Sequence, residues 1–274
     1  MKNIIHYILF GIKNPLSFRL IYLFEKVGKF LVIQVNKFWF HIPFFFLLRK
    51  DYMLENSDGK WLIKQWSDHD TLVSPLFETE MRKEFFLDTP WYFIDIGAHV
   101  GKWSINVARQ NPDNKVLAIE ANMLTFSYLE KNIEWNHLQH QITPIHIWVS
   151  SKKWKLEFEY DTLNTWMSWV SLWREWKNIK KLEVESDTLD DVLQSQKIPY
   201  WDVRLIKIDV EWHEYEVFQG MKDFLSKKEW PMKIICEIFA PEDVKNKTVT
   251  LLQDFGYSLR FAPGDTVDHI FYKN

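Results

Sequence analysis

Cysteine and glycine are both scarce in this chain of 274 residues. The single cysteine, Cys236, excludes an internal disulfide framework and a metal site built from clustered cysteines. A reducing, cytoplasmic location is therefore predicted. Glycine occurs 8 times, whereas average usage predicts roughly 19. Positive charge is also not in excess, since the net charge of −3 argues against a general nucleic-acid binder.

Tryptophan, in contrast, occurs 15 times. Several tryptophans stand in turn contexts that favour glycine, which supplies a positive φ without steric cost. One interpretation is a tryptophan-rich surface of the kind that handles carbohydrates. The other is that a codon read as glycine in the source organism is written here as tryptophan. The sequence favours the second interpretation, most clearly at Trp154, Trp166, Trp201 and Trp212.

Residues 1–87 are predicted to form a helical, apolar and basic extension. The longest apolar stretch, Phe38–Leu48, is interrupted by His41 and Pro43 and is too short to span a membrane. Helical spacing from Leu20 to Leu31 predicts an amphipathic helix. This helix either packs on the main domain, which is the favoured reading, or attaches residues 1–50 peripherally to an anionic membrane through their lysines and arginines.

Residues 88–274 alternate strand-like with helix-like segments. This order predicts an α/β fold with a mostly parallel, seven-stranded Rossmann-like sheet, helices on both faces and a terminal antiparallel hairpin. Leu156–Glu185 does not have a helical pattern and is predicted to be an insert. The predicted strands are Tyr92–Ile96, Lys115–Glu120, Ile142–Val149, Arg204–Val210, Lys233–Phe239, Tyr257–Ala262 and His269–Tyr272.

The loop after the first predicted strand points to a cofactor. The strand includes Asp95, and the following residues open a helix. Gly97 permits a tight turn, Ala98 stays small where a ligand must approach, and Gly101 lets a helix and a strand pack closely. The amides at the helix start then face the ligand.

Glu120 ends the second predicted strand, where a carboxylate can accept both hydroxyl hydrogens of a ribose. Two cofactor classes use a glycine-rich loop followed by such an acid. Dinucleotide enzymes have Gly-x-Gly-x-x-Gly, but here His99 replaces the second glycine and Asp95 would repel a pyrophosphate. The acid suits the cationic amino-acid end of S-adenosylmethionine. The pattern therefore favours a methyltransferase, with an NAD-dependent oxidoreductase as the alternative.

The stretch Leu205–Glu214 predicts a further strand end that carries chemistry. Its apolar run stops at Asp209 and Glu211, and a helical pattern follows. Ligands bind beyond the carboxyl ends of strands in open α/β sheets, so these acids lie where a reaction would take place. The turn between them and the helix requires a small residue, yet Trp212 stands there.

These motifs resemble the FkbM family of S-adenosylmethionine-dependent O-methyltransferases, over roughly Asp88 to Pro241. The family's first loop is similar to Ile94–Gly101, with His99 departing from it, and the acid with its following Asn is similar to Glu120-Ala121-Asn122. Most specific is Lys-Ile-Asp-Val-Glu-Gly-x-Glu, which resembles Lys207–Glu214 with Trp212 at the glycine position.

The resemblance implies methyl transfer from S-adenosylmethionine to a hydroxyl of a sugar, glycolipid or secondary metabolite. It implies a cofactor site at Asp95, Gly97, Ala98, His99, Gly101, Glu120, Ala121 and Asn122. Asp209 is the first candidate for the base or for positioning the acceptor, followed by Glu211 and His213, and Lys207 either pairs with Asp209 or forms an ordinary salt bridge. No metal-ligand cluster is predicted, and Asp190 and Asp191 are expected to cap a helix. If Trp212 is genuine, an inactive adenosyl-binding module is the further alternative.

Overall fold

The computed structural model divides the chain into two compact units, Met1–Phe77 and Glu78–Asn274. The second unit begins at Glu78, whereas the sequence predicts a boundary at Asp88. The helix predicted at Leu20–Leu31 and Trp166 both lie outside the described residues. The structure describes residues 51–64, 69–74, 78–86, 89–161, 179–227, 232–238, 240–261 and 268–273.

The described part of the first unit is a β-hairpin followed by a short helix. Strands β1 (Tyr52–Glu55) and β2 (Lys60–Ile63) pair antiparallel, and α1 covers His69–Leu72. The Asn56 side chain holds the turn, because its Oδ1 accepts the backbone N–H of Asp58 at 2.8 Å and the indole N–H of the fully buried Trp61 at 3.2 Å. The extension predicted as helical therefore contains a hairpin.

The second unit alternates strands and helices, as the sequence predicts, after a 3-10 helix at Thr79–Phe85. Its strands are β3 (Tyr92–Ile96), β4 (Lys115–Glu120), β5 (Ile142–His146), β6 (Trp148–Val149), β7 (Trp154–Asp161), β8 (Ile179–Asp187), β9 (Val203–Ile208), β10 (Met232–Glu237), β11 (Ser258–Phe261) and β12 (Asp268–Lys273). Its α-helices are α2 (Lys102–Gln110), α3 (Met123–Trp135), α4 (Leu189–Ser195), α5 (Glu214–Gln219), α6 (Lys222–Ser226) and α7 (Glu242–Asp254), and a 3-10 turn covers Tyr200–Asp202.

Seven strands form one sheet in the order β11-β12-β10-β9-β3-β4-β5. The five strands from β10 to β5 are parallel, and β12 joins β10 and β11 antiparallel. The predicted mostly parallel seven-stranded sheet with a terminal hairpin is thus confirmed. The strand order reverses between β3 and β9, and crevices that bind ligands form at such a switch point.

Successive side chains of β3 point to opposite faces of the sheet, and both faces are covered. Ile94 and Ile96 belong to a buried core that they share with α4, α5, α6 and α7. Phe93, which points the other way, meets Phe85 of the first 3-10 helix edge to face at 5.9 Å. Residues at strand positions of both parities are therefore apolar, as is typical of buried parallel strands.

A single side chain ties that 3-10 helix to the edge of the sheet. The Glu84 carboxylate pairs with Lys233 of β10 at 3.1 Å and with Arg260 of β11. Burial opposes the charge on Glu84, but these two cations outweigh it and lower the pKa of the carboxyl. These two ion pairs stabilise the packing of the 3-10 helix on the sheet, so the segment before β3 belongs to the second unit.

The strand predicted at Ile142–Val149 is wrong in one respect, because the chain forms two strands there. β5 ends at His146 and joins the large sheet, whereas β6 pairs with β8 in a separate sheet of order β6-β8-β7. β7 pairs antiparallel with β8 over the whole length of β7, so the predicted insert supplies most of this second sheet. The strand-like stretch Ile142–Val149 does not reveal the change of sheet at Ile147.

Candidate active site

The loop after β3 holds a buried carboxylate with an open acceptor position. Asp95 is almost fully buried, and its Oδ2 accepts the Ser104 hydroxyl at 2.6 Å. Its Oδ1 has no hydrogen-bond partner within the described residues. Burial raises the pKa of Asp95, while Lys207 and Ser104 favour the charged form. An ammonium or hydroxyl donor would complete this site.

Gly97 joins the loop after β3 to the end of β9. Its φ of +78° is left-handed, and a Cβ at this position would lie 1.9 Å from the backbone carbonyl oxygen of Asp209. The amides of Gly97 and Ala98 both donate to the Ile119 carbonyl at 2.9 Å. Gly101 has a different partner from the one predicted, since its Cβ would meet Leu129 of α3 at 2.7 Å rather than a strand.

His99 contributes its backbone more than its ring to the loop. Its φ is +52°, a conformation for which histidine is enriched among side-chain-bearing residues. Its N–H donates to Glu120 Oε2 at 2.9 Å. Burial lowers the pKa of the imidazole to about 4, so the ring is neutral at physiological pH. This hydrogen bond connects the loop after β3 to the end of β4.

Glu120 is buried at the end of β4 and already accepts several protein donors. Its Oε1 receives the N–H of Asn122 and the hydroxyl of Thr125, both at 2.8 Å. Together with the bond from His99, three of the roughly four lone-pair positions of the carboxylate are engaged. One position remains for a ligand hydroxyl, rather than the pair predicted from the sequence. Burial raises the pKa of Glu120, and these donors oppose that shift.

Ala121 and Asn122 hold the start of α3 beside this acid. Asn122 Oδ1 accepts the Leu124 N–H at 3.0 Å and caps the helix. Its Nδ2 is buried without a hydrogen-bond partner in the described part of the chain. The Ala121 carbonyl lies 2.8 Å from His146 Nε2. Asn122 therefore offers a ligand one unused donor.

The end of β9 carries the ion pair that the sequence left open. Lys207 Nζ lies 2.9 Å from Asp209 Oδ2, with the lysine side chain 11% and the aspartate side chain 35% exposed. Burial opposes the charge on Lys207, but Asp209 and then Asp95 outweigh it and raise the pKa of the ammonium. Lys207 therefore stays charged between the two strand ends.

The turn after Asp209 has a strained backbone. Glu211 and Trp212 have φ values of +47° and +77°, which favour glycine or asparagine. The buried Glu214 accepts the Trp212 N–H at 3.1 Å, and burial raises the pKa of Glu214 to about 7. Glu214 therefore stabilises the turn. It is the last residue of the Lys207–Glu214 motif, but the sequence alone does not indicate this contact.

His213 lies on the far side of this turn. Its ring packs against Trp148 at 5.1 Å and its Nε2 lies 3.0 Å from the Ser150 hydroxyl. Burial lowers the pKa of His213 to about 4. His213 and Glu211 are not among the residues that line the cleft described next.

A small cleft lies beyond the ends of β9, β10 and β12. One wall is Phe85 stacked on Trp103 at 3.8 Å, with the rings 5° from parallel. The indole N–H of Trp103 donates to Glu78 Oε2 at 3.1 Å. The sequence did not indicate Glu78, Trp103 or Asp268 as lining residues, because they come from segments that are far apart in the chain. The polar and aromatic lining includes Glu78, Trp103, Lys207, Asp209, Glu237 and Asp268.

The described residues contain no group of three or more His, Cys, Asp or Glu side chains arranged to hold a metal ion. Asp190 was predicted to cap its own helix, but Thr188 does so by accepting the Asp191 N–H at 3.1 Å. The Asp190 carboxylate instead accepts the N–H groups of Asp223 and Phe224, both at 3.0 Å. Asp190 therefore joins α4 to α6.

Comparisons with known proteins identify the family of this chain. The family model described as the methyltransferase FkbM domain matches residues 95–259. The methyltransferase sdnD of Sordaria araneosa is 24% identical over 200 residues, which cover 61% of this chain and 74% of that protein. The crystal structure of a methyltransferase FkbM from Methylobacillus flagellatus superposes with a TM-score of 0.50 at 14% identity. The match covers 74% of this chain and about half, 48%, of that one.

Proposed function

The chain belongs to the FkbM methyltransferase family, and we propose that it methylates a hydroxyl group of a sugar, glycolipid or secondary metabolite. Its methyl donor is S-adenosylmethionine. Family membership replaces the alternative of an NAD-dependent oxidoreductase. The observation that supports hydroxyl methylation is the cleft of carboxylates and stacked aromatic rings that meets the cofactor loop at Gly97 and Asp209.

The residues at the first two strand ends fit S-adenosylmethionine. The buried Asp95 Oδ1 offers an acceptor to its ammonium group, and the remaining lone pair of Glu120 offers one to a ribose hydroxyl. Asn122 Nδ2 offers a donor at the same edge. Gly97 and Ala98 leave the turn without bulk, and His99 and Gly101 hold its backbone. When bound, the cofactor supplies an electrophilic methyl group on sulfur.

On the acceptor side, the chain's residues would orient a hydroxyl and exclude water. Carboxylates accept hydrogen bonds from hydroxyl groups. We propose that Asp209 contacts the acceptor hydroxyl and that Lys207 fixes the Asp209 carboxylate. Holding the two reactants in line accounts for much of the rate in such a displacement. Glu211 and His213 stay candidates from the sequence, at a turn beside the cleft.

The acceptor is proposed to be a small molecule or a glycan, not a nucleic acid. A cytoplasmic location also stays a prediction. Within the described residues, no helix combines the length and the apolar character that crossing a bilayer requires. The proposed peripheral membrane contact through residues 1–50 lies outside the described part of the chain.

The experiment combines binding and turnover. Calorimetry with S-adenosylmethionine is expected to show one site, which Glu120→Gln weakens about tenfold because a charged acceptor becomes neutral. A panel of methyl hexosides, methyl deoxyhexosides, glycolipids and simple secondary alcohols is then screened for release of S-adenosylhomocysteine. Cofactor binding without release on any hydroxyl would refute the proposed activity and support the inactive adenosyl-binding module.

A further inference from the structure

Three acidic residues form a row across neighbouring strand ends. Ile208 and Cys236 are partners in the parallel ladder of β9 and β10, so Asp209 and Glu237 follow side by side. Glu237 is also the register partner of Asp268 across the antiparallel ladder of β10 and β12. All three line the cleft beside Trp103. The topology therefore brings Glu237 next to the Asp209 carboxylate, although the two are distant in sequence.

The two neighbouring carboxyls differ in their partners. Asp209 is engaged by the Lys207 ammonium at 2.9 Å. Glu237 has no such partner, since none of the described residues donates a hydrogen bond to its carboxyl. Within the described part of the chain, Glu237 is therefore the better placed of the two to receive a proton from an acceptor.

The charges around Glu237 increase its affinity for a proton. Asp209 first, then burial, raise the pKa of Glu237 to about 8; Asp268 and Glu78 add to this, and Lys207 opposes it. Two carboxylates that share a site do not both ionise at the usual pH. A base with a pKa near the working pH is the most effective, because it is both partly ionised and basic enough.

We propose that Glu237 is the general base that takes the proton of the acceptor hydroxyl. This inference rests on the hydroxyl methylation proposed above. The hydroxyl oxygen bonds to the methyl carbon as the carbon–sulfur bond breaks with its electron pair staying on sulfur. The hydroxyl proton passes to the ionised Glu237 carboxylate, which later releases it to water. Asp209, held by Lys207, positions the acceptor and raises the basicity of Glu237.

The kinetic test compares the wild-type protein, Glu237→Gln and Glu130→Gln, with the best acceptor of the panel. Glu130 is an exposed residue of α3 and serves as the matched carboxyl-to-amide control. Wild-type kcat is expected to rise about tenfold per pH unit up to about pH 8 and then to level off. Glu237→Gln should lower kcat at least 100-fold, about the minimum that general-base catalysis contributes, and should abolish this pH dependence.

Cofactor affinity and the circular dichroism spectrum of Glu237→Gln should match the wild type, which separates a lost base from a misfolded protein. Glu130→Gln should keep the full kcat and its profile. A Glu237→Gln variant that turns over with the wild-type pH profile would overturn the assignment while leaving hydroxyl methylation intact.

A second measurement needs no acceptor. With glutamate labelled at the side-chain carboxyl carbon, carbon NMR should show the Glu237 signal titrating with a midpoint near pH 8, and Asp209→Asn should lower that midpoint. The Glu237→Gln spectrum assigns the signal. A midpoint near the ordinary value of about 4.5 refutes the role of Glu237. A midpoint near 8 without turnover of any hydroxyl in the panel refutes the proposed function, and the base assignment with it.

Discussion

Three glycines allow the contact between the cofactor loop and the end of β9 to be tested by an alanine series. Gly97 has both a left-handed φ of +78° and a Cβ position 1.9 Å from the Asp209 carbonyl oxygen. Gly256 has a similar φ of +85°, and no atom of the described residues beyond its chain neighbours lies within 4 Å of its Cβ position. Gly220 has an ordinary φ of −87°, but its Cβ would lie 1.9 Å from the Ser150 carbonyl oxygen.

The series separates backbone strain from steric overlap. Gly256→Ala is expected to cost about 1 kcal/mol, because a left-handed alanine costs about 1–2 kcal/mol and loses less entropy on folding. Gly220→Ala meets a backbone carbonyl that has no rotamer to escape to, and overpacking of this kind costs about 1–3 kcal/mol. Gly97→Ala combines both effects, so we expect about 2–4 kcal/mol.

The assay is urea unfolding at constant pH, with the free energies compared at equal slope. Calorimetry adds a second readout, since Gly97→Ala alone should also weaken S-adenosylmethionine binding. The turn at Gly97 has to move by about 1 Å to relieve the overlap, which displaces both the loop and Asp209. If Gly97→Ala costs no more than Gly256→Ala and keeps full cofactor affinity, the close contact and its role are refuted.

Two further changes test other parts of the structure. Burial lowers the pKa of His213 to about 4, so between about pH 6.5 and 4 only the unfolded chain binds a proton at this imidazole. Acidification over this range should therefore lower the free energy of unfolding by up to about 1.4 kcal/mol per pH unit through His213. Urea midpoints at pH 7, 6 and 5 should show a shallower loss in His213→Gln, whereas the same slope as in the exposed control His140→Gln would contradict this. Trp212→Gly should leave the melting temperature unchanged or raise it, because it relieves a left-handed tryptophan that is 39% exposed. Trp61→Gly should cost about 3–5 kcal/mol because it empties a buried site, and an equal loss for both would refute the glycine-like character of position 212.

The glycine-like tryptophans of the sequence do not share one structural setting. Among the described residues, Trp212 alone of these has a positive φ, whereas Trp154 begins a strand and Trp201 lies in a 3-10 turn. All three are exposed to a substantial extent. The structure thus gives position 212 a backbone requirement for glycine that the other two do not have.

Local sequence patterns predict most of the fold. Apolar strands followed by helices predict the mostly parallel, seven-stranded sheet with its terminal hairpin, and β3 has the bounds that the sequence predicts. The hairpin at β1 and β2 has a signal, Asn-Ser-Asp-Gly between two strand-like runs, that the helical prediction passed over. The change of sheet between β5 and β6 has no local signal, because it depends on pairing with β8, which is distant in the chain.

The sequence indicates the candidate cofactor residues for a related reason, and their role in binding stays a prediction. Asp95 and Glu120 lie at or near the ends of β3 and β4, Gly97 follows β3, and each has a local sequence context that indicates its position. Glu237 also ends a predicted strand, and the sequence leaves open whether it lines the acceptor pocket, but its position beside Asp209 and Asp268 follows only from the register of β10 against β9 and β12. A motif reports what is near in sequence, and this part of the cleft is assembled from strands that are far apart.

The link between Glu84 and the edge of the sheet sets a rule for preparing shortened forms of this enzyme. A protein that starts at the boundary predicted from the sequence, Asp88, would lack Glu84 and leave Lys233 and Arg260 without the carboxylate that neutralises them. It would also lose Phe85, and with it one layer of the aromatic wall. A soluble catalytic fragment for crystals or screening should therefore start at or before Glu78.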